Sequence, residues 1–178
     1  SLEILRNNRK DTLLVSVERK SIAIPAVTWD LIRKEKPVGL INIQSFSGLE
    51  PSVLRLALSS LKMLGTNKAV LDLRDNGGGF LESFLGSCPF FMRGNDTIIV
   101  AVSRKPKMVY DSLYVVNKFD KKDFGRFRDF QIVCLINNGT SSAAEFFAKT
   151  MQRWGYPLVG ESTQGHSTIL HPFELADG

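Results

Sequence analysis

Two short apolar runs, Ala69–Arg74 and Ile132–Ile136, each end in a turn of small residues and give way to a segment of helical periodicity. Strands that alternate with helices of ten or more residues confine a chain to a layered α/β fold. Strand-like patterns also cover Thr12–Glu18, Ile22–Val27 (broken by Pro25), Val38–Ile43, Ile98–Val102, Met108–Val116, Pro157–Gly160, Thr168–Leu170 and Phe173–Leu175. Helical patterns cover the segment from Pro51, with an apolar face of Val53, Leu54, Leu56, Ala57, Leu58, Leu61 and Leu64, then Phe80–Phe91 and Ala143–Trp154. Gly155 stands where a left-handed residue ends the last helix. No period is legible between Thr28 and Pro37.

At 178 residues the chain suits one domain with a small appendage, and 43% apolar residues, including 12 Phe, can fill a core. The net charge of +5 is spread among acids; even the densest basic stretch, Lys118–Arg128, holds Asp120, Asp123 and Phe residues, as a solvated loop does. Nucleic acid is therefore not an expected partner. Two cysteines, Cys88 and Cys134, make no disulfide framework, and Cys134 falls in a core-like strand. No apolar stretch approaches the ~20 residues that span a bilayer. The chain opens without Met and closes on a turn signal, Ala176-Asp177-Gly178, so it reads as a piece of a longer protein.

Three loops that follow strands carry the chemistry, and such loops gather at one end of a sheet. Asp75-Asn76-Gly77-Gly78-Gly79 can expose backbone N–H groups as an anion nest, or serve simply as a tight turn. Its residues match neither a P-loop nor a dinucleotide fingerprint. Asn137–Glu145 offers the hydroxyls of Thr140, Ser141 and Ser142, with Thr150 nearby. Ser142 is favoured by position, since it opens the helix and leaves the Ala143 N–H free as an oxyanion donor. The third loop, Gly160–His166, contains one of only two histidines, His166 and His171, either of which is a base type for a serine nucleophile.

Taken in order, Leu71-Asp72-Leu73-Arg74-Asp75-Asn76-Gly77-Gly78-Gly79, Asn137–Glu145 and Gly160-Glu161-Ser162-Thr163-Gln164-Gly165 resemble the C-terminal processing (tail-specific) serine peptidases. The flanks Val38–Phe46 and Phe173–Gly178 agree, and the likeness runs from about Pro37 to Gly178. The resemblance implies a crotonase/ClpP-like core that cleaves unfolded or C-terminally exposed polypeptides, needs no cofactor or metal, and works in the bacterial periplasm or cell envelope. It further implies residues 1–36 as the end of a PDZ-type module and connector, and 37–178 as a peptidase core incomplete at its C-terminus. By position it makes Ser142 the nucleophile and Gly78 with Ala143 the oxyanion hole. The family's lysine base is His166 here, and the glutamine that orients it is Leu170. Glu161 and Glu145 are then the candidate acids to orient the ring. The loss of that lysine and glutamine also motivates an alternative, a catalytically impaired pseudoenzyme that binds peptide or a lipophilic ligand in the same cleft.

Overall fold

The computed structural model describes residues 2–5, 12–18, 20, 24–32, 35–48, 50–92, 98 and 123–166. The expected strand Met108–Val116, the pieces Thr168–Leu170 and Phe173–Leu175, and His171 lie outside these, as does Ile98–Val102 except for Ile98.

Strands β1 (Leu2–Leu5) and β2 (Thr12–Val15) form an antiparallel pair, with Leu2 opposite Val15. The main sheet has five strands in chain order: β3 (Val27–Leu31), β4 (Gly39–Ile43), β5 (Lys68–Asp72), β6 (Gln131–Ile136) and β7 (Leu158–Gly160). β3 runs antiparallel to β4, and the other pairs are parallel. The sheet thus takes in residues N-terminal to Pro37. Helices α1 (Glu50–Met63), α2 (Leu81–Ser87) and α3 (Ala143–Arg153) lie in the crossovers between parallel strands.

Because the strand order only advances, right-handed crossovers bring all three helices to one face of the sheet. Burial follows that rule. Ile41, Ile43, Ala69, Leu71, Ile132 and Cys134 are buried toward the helices. Leu40, Val70, Val133 and Leu135, whose side chains alternate with them, are only half-buried. Gly39 lets the Leu61 side chain sit directly against the start of β4. Phenylalanines fill the space beneath α3: Phe46 and Phe91 pack on Phe147 with ring centroids 5.6 and 6.2 Å apart, and Phe90 packs edge-on to Phe127 at 5.9 Å.

Several elements differ from the pattern in the sequence. The Val27–Leu31 strand lacked a visible period because it is an edge strand: Val27 is buried while Thr28, Trp29 and Asp30 are exposed. Helix α1 begins one residue before Pro51, at Glu50, whose buried carboxylate accepts the Ser47 and Gly48 N–H groups at 2.7 Å each and the Ser47 hydroxyl at 2.7 Å. Leu56 and Leu64, expected on its apolar face, are exposed, whereas Leu54, Ala57, Leu58 and Leu61 are fully buried. The helix expected over Phe80–Phe91 ends at Ser87. Pro89 cannot donate to the α ladder, and Cys88–Phe91 tightens into a 3₁₀ turn. Of the basic stretch, Arg126 and Arg128 are exposed but Phe127 is buried in the core.

Candidate active site

The three loops leave the carboxyl ends of β5, β6 and β7, which are adjacent and parallel, so they meet at one rim of the sheet. One residue ties the first loop to β4 through its side chain and to the serine turn through its backbone. Asn76 is fully buried; its Nδ2 donates to the Ile43 carbonyl at 2.7 Å, and its Oδ1 accepts the Gly78 N–H at 2.9 Å. The Asn76 carbonyl accepts the Ser141 N–H at 2.9 Å. Thr140 adds a second strut, its hydroxyl donating to the Leu73 carbonyl at 2.8 Å. Asn137 and Asp75 form a third: the Asp75 N–H donates to Asn137 Oδ1, and Asn137 Nδ2 donates to Asp75 Oδ1, both at 2.9 Å.

Glycine is required twice in the first loop. Gly79 lies against the Phe46 carbonyl, in a short parallel bridge that extends β4, and a side chain there would strike that carbonyl. At Gly78, with φ of +100°, an added Cβ would lie 2.7 Å from Ser142 Cβ and 3.0 Å from the Ala143 nitrogen. The expected oxyanion-hole pair, Gly78 and Ala143, is therefore in direct apposition. The Gly78 N–H is engaged by Asn76 Oδ1, while the Ala143 N–H has no acceptor among the described residues.

Ser142 stands at the N-terminus of α3 with φ 53° and ψ −123°, a conformation that side chains other than glycine rarely adopt. A strand-to-helix elbow of this kind presents a hydroxyl at the head of a helix. Glu145 secures the elbow. Its carboxylate accepts the N–H of Ser142 at 2.8 Å, of His166 at 2.9 Å and of Gly165 at 2.7 Å, and so joins the serine turn to the third loop. The Gln164 N–H donates to the Thr140 carbonyl at 3.1 Å beside it.

Burial alone would raise the Glu145 carboxyl, but the Thr163 hydroxyl and the Gly165, Ser142 and His166 N–H groups hold it below its ordinary value. A carboxyl lowered by folding stabilises the fold above its unfolded value, about 4.5, and that contribution is lost as pH falls through the lower folded value. Thermal melts of wild type and Glu145→Gln should therefore differ by a constant amount above that pH and converge in stronger acid. A constant difference throughout would show that the ionised carboxylate is not what holds the loops.

His166 is brought to the serine turn, though not by the bond expected. Its Nδ1 lies 2.9 Å from Ser141 Oγ, and no hydrogen bond joins the ring to Ser142 among the described residues. Glu145, a candidate orienting acid, meets His166 at the backbone N–H and not at the ring. Glu161 is exposed; its N–H donates to the Ile136 carbonyl at 3.2 Å, and its carboxylate makes no hydrogen bond among the described residues. Thr150 is spent within α3, donating to the Phe146 carbonyl at 2.7 Å. Neither thiol competes as a nucleophile, since burial pushes Cys134 up to about 12 and Cys88 well above its ordinary value.

Nothing in the sequence singles out Asn76 or Ser141. Asn76 read as one more residue of a glycine turn, and nothing local marks a side chain whose partner lies 33 residues away. Ser141 was one of several hydroxyls until the fold set it against the ring.

The chain is 32% identical over 177 residues to the "Carboxyl-terminal-processing protease" of Picosynechococcus, covering 98% of this chain and 40% of that protein. It is 31% identical over 166 residues to the "Carboxy-terminal processing protease CtpA" of Bacillus subtilis, covering 92% of this chain and 33% of that protein. It therefore spans less than half the length of these relatives. Among solved structures it superposes on a photosystem II D1 C-terminal processing protease with a TM-score of 0.66 at 22% identity, over 94% of this chain and 44% of that one. A putative S41 protease from Bacteroides fragilis gives a TM-score of 0.71 at 22% identity, over 88% and 44%. These likenesses show a shared fold. The sequence profile of peptidase family S41 matches residues 37–178, and on the strength of that match, with three loops assembled at one rim of its parallel sheet, the chain belongs to peptidase family S41, the C-terminal processing proteases.

Proposed function

We propose that the protein carrying this chain is a serine endopeptidase of the tail-specific class, with Ser142 as nucleophile and His166 as general base. The observation that carries the proposal is the strained elbow at Ser142, set against Gly78 and beside an Ala143 N–H that has no acceptor among the described residues. In the first step Ser142 Oγ bonds to the scissile carbonyl carbon while its proton passes to the imidazole. The carbonyl π pair moves onto oxygen, which the Ala143 N–H receives, joined by the Gly78 N–H once it turns from Asn76. The imidazolium then protonates the departing amine, and water repeats the sequence on the acyl-enzyme. Unfolded or C-terminally exposed polypeptide is the substrate class the family likeness supports. Bacterial relatives support a periplasmic or envelope location; no helix among the described residues is long and apolar enough to cross a membrane.

A second reading rests on the engaged Gly78 N–H and the ring bound to Ser141: a cleft that holds peptide without cleaving it. Reaction with a fluorophosphonate separates the two. Modification of the intact protein, mapped to Ser142, supports the peptidase. Tight peptide binding with no modification and no cleavage supports the second reading.

A further inference from the structure

Ser141 Oγ has one hydrogen-bond partner among the described side chains, and that partner is His166 Nδ1 at 2.9 Å. The backbone of Ser141 is held as well. The Ser141 N–H donates to the Asn76 carbonyl at 2.9 Å, its own carbonyl accepts the Ala144 N–H at 3.1 Å, and the residue is only 5% exposed. A polypeptide cannot readily reach a group so buried, whereas Ser142, one residue on, is half-buried and stands on the elbow. Ser141 is thus poorly placed to attack a substrate and well placed to hold a ring.

His166 is held at two points. Its backbone N–H is bound by Glu145 Oε2, the oxygen that also takes the Ser142 N–H, and its ring is bound at Nδ1. Yet the residue as a whole is exposed. With Nδ1 engaged, Nε2 is the nitrogen left for proton transfer. A neutral imidazole carries one proton, so Nε2 can accept another only if that proton sits on Nδ1. Ser141 Oγ can accept a hydrogen bond from Nδ1–H, and with the bond in that direction the ring holds the tautomer a base requires.

We infer that Ser141 is the positioning residue for His166: its hydroxyl accepts the Nδ1–H bond, fixes the ring's rotation and tautomer, and leaves Nε2 as the basic nitrogen. This rests on the proposed peptidase reading and supplies the second partner that neither Glu145 nor Glu161 provides at the ring. In the reaction the Ser142 proton moves to Nε2, the Nδ1 proton stays shared with Ser141, and the ring returns to neutrality when it protonates the leaving amine. A hydroxyl stabilises the imidazolium less than a carboxylate would, so the arrangement sets geometry more than charge.

Two measurements on the intact protein test this. Ring ¹⁵N shifts of His166 should report the Nδ1–H tautomer in wild type and in Ser141→Thr, and a shift toward Nε2–H in Ser141→Ala. Fluorophosphonate modification should slow about 10- to 100-fold in Ser141→Ala, the range for loss of a supporting hydrogen bond, with Ser141→Thr restoring most of the rate. Ser141→Cys, near in volume but a weak acceptor, should fall with alanine and so separates the hydrogen bond from packing. An unchanged tautomer and rate in folded Ser141→Ala would overturn the inference. If instead His166→Ala reacts as fast as wild type, the base assignment itself fails. Should wild type not react at all, the peptidase reading fails while the ring shifts still decide the role of Ser141.

Discussion

Ser142→Gly is expected to make the protein more stable by about 1 kcal/mol and to abolish turnover. The serine sits at φ 53° and ψ −123°, where a Cβ costs about 1–3 kcal/mol and glycine costs far less. Part of that relief is cancelled by the extra freedom glycine has when unfolded, about 0.5–1 kcal/mol. A domain of this size should melt about 2–4 °C higher for each kcal/mol gained. Ser142→Ala keeps the Cβ and the strain, so its melting temperature should match wild type while activity falls by roughly 10⁴-fold or more. Comparing the two variants separates strain from chemistry. A Ser142→Gly protein that melts below wild type would show that the elbow is not strained. A Ser142→Ala protein that still hydrolyses peptide at the wild-type rate would remove Ser142 from the mechanism.

Asn76→Ala is expected to cost about 3 kcal/mol and to lower the melting temperature by about 6–12 °C, the largest loss anticipated from a polar position. The substitution strips the Ile43 carbonyl of its donor and the Gly78 N–H of its acceptor, and each unpaired buried group costs about 1–3 kcal/mol. Activity should fall with stability. The Gly78 turn loses its anchor to β4, and a displacement of 1 Å at a reacting group can cost about 10²-fold. Asn76→Asp is the sharper variant, because it keeps the shape and the acceptor but cannot donate to Ile43. If aspartate restores both stability and rate, the Nδ2 bond is not the strut described. Thermal melts and fluorophosphonate modification rates on the same preparations measure both quantities.

How much the sequence disclosed depended on the range of the interactions. Ala69–Asp72, Ile132–Ile136 and the helix from Ala143 announce themselves because local periodicity and burial agree there. Gly155, at φ 88°, closes α3 as its position implies. The three loops were legible as a set because their order along the chain is a family pattern. The edge strand Val27–Leu31 was hidden, since its pairing with β4 owes little to its own alternation. Leu56 and Leu64 misled in the opposite sense: they continue the apolar pattern of α1, but among the described residues nothing covers them, and Leu64 falls just past the end of the helix. The bond between His166 and Ser141 could not be read, because loop residues 25 apart come into register only after β6 and β7 are paired.

The parallel arrangement of β5 and β6 also bears on when the protein becomes chemically competent. The contacts that shape the site, Asn76 to Ser141 and Asp75 to Asn137, join segments more than sixty residues apart and depend on the parallel pairing of those two strands. Pairings so distant in the chain close late, after local helices have formed. The β6–β7 pair, which carries the histidine loop, is later still in order of synthesis. As this segment is synthesised, the glycine loop is complete before Ser142 appears and the loop of His166 follows it, so the three loops can meet only once the last of them has been made. The topology thus makes assembly of the candidate site one of the last events in the folding of this segment.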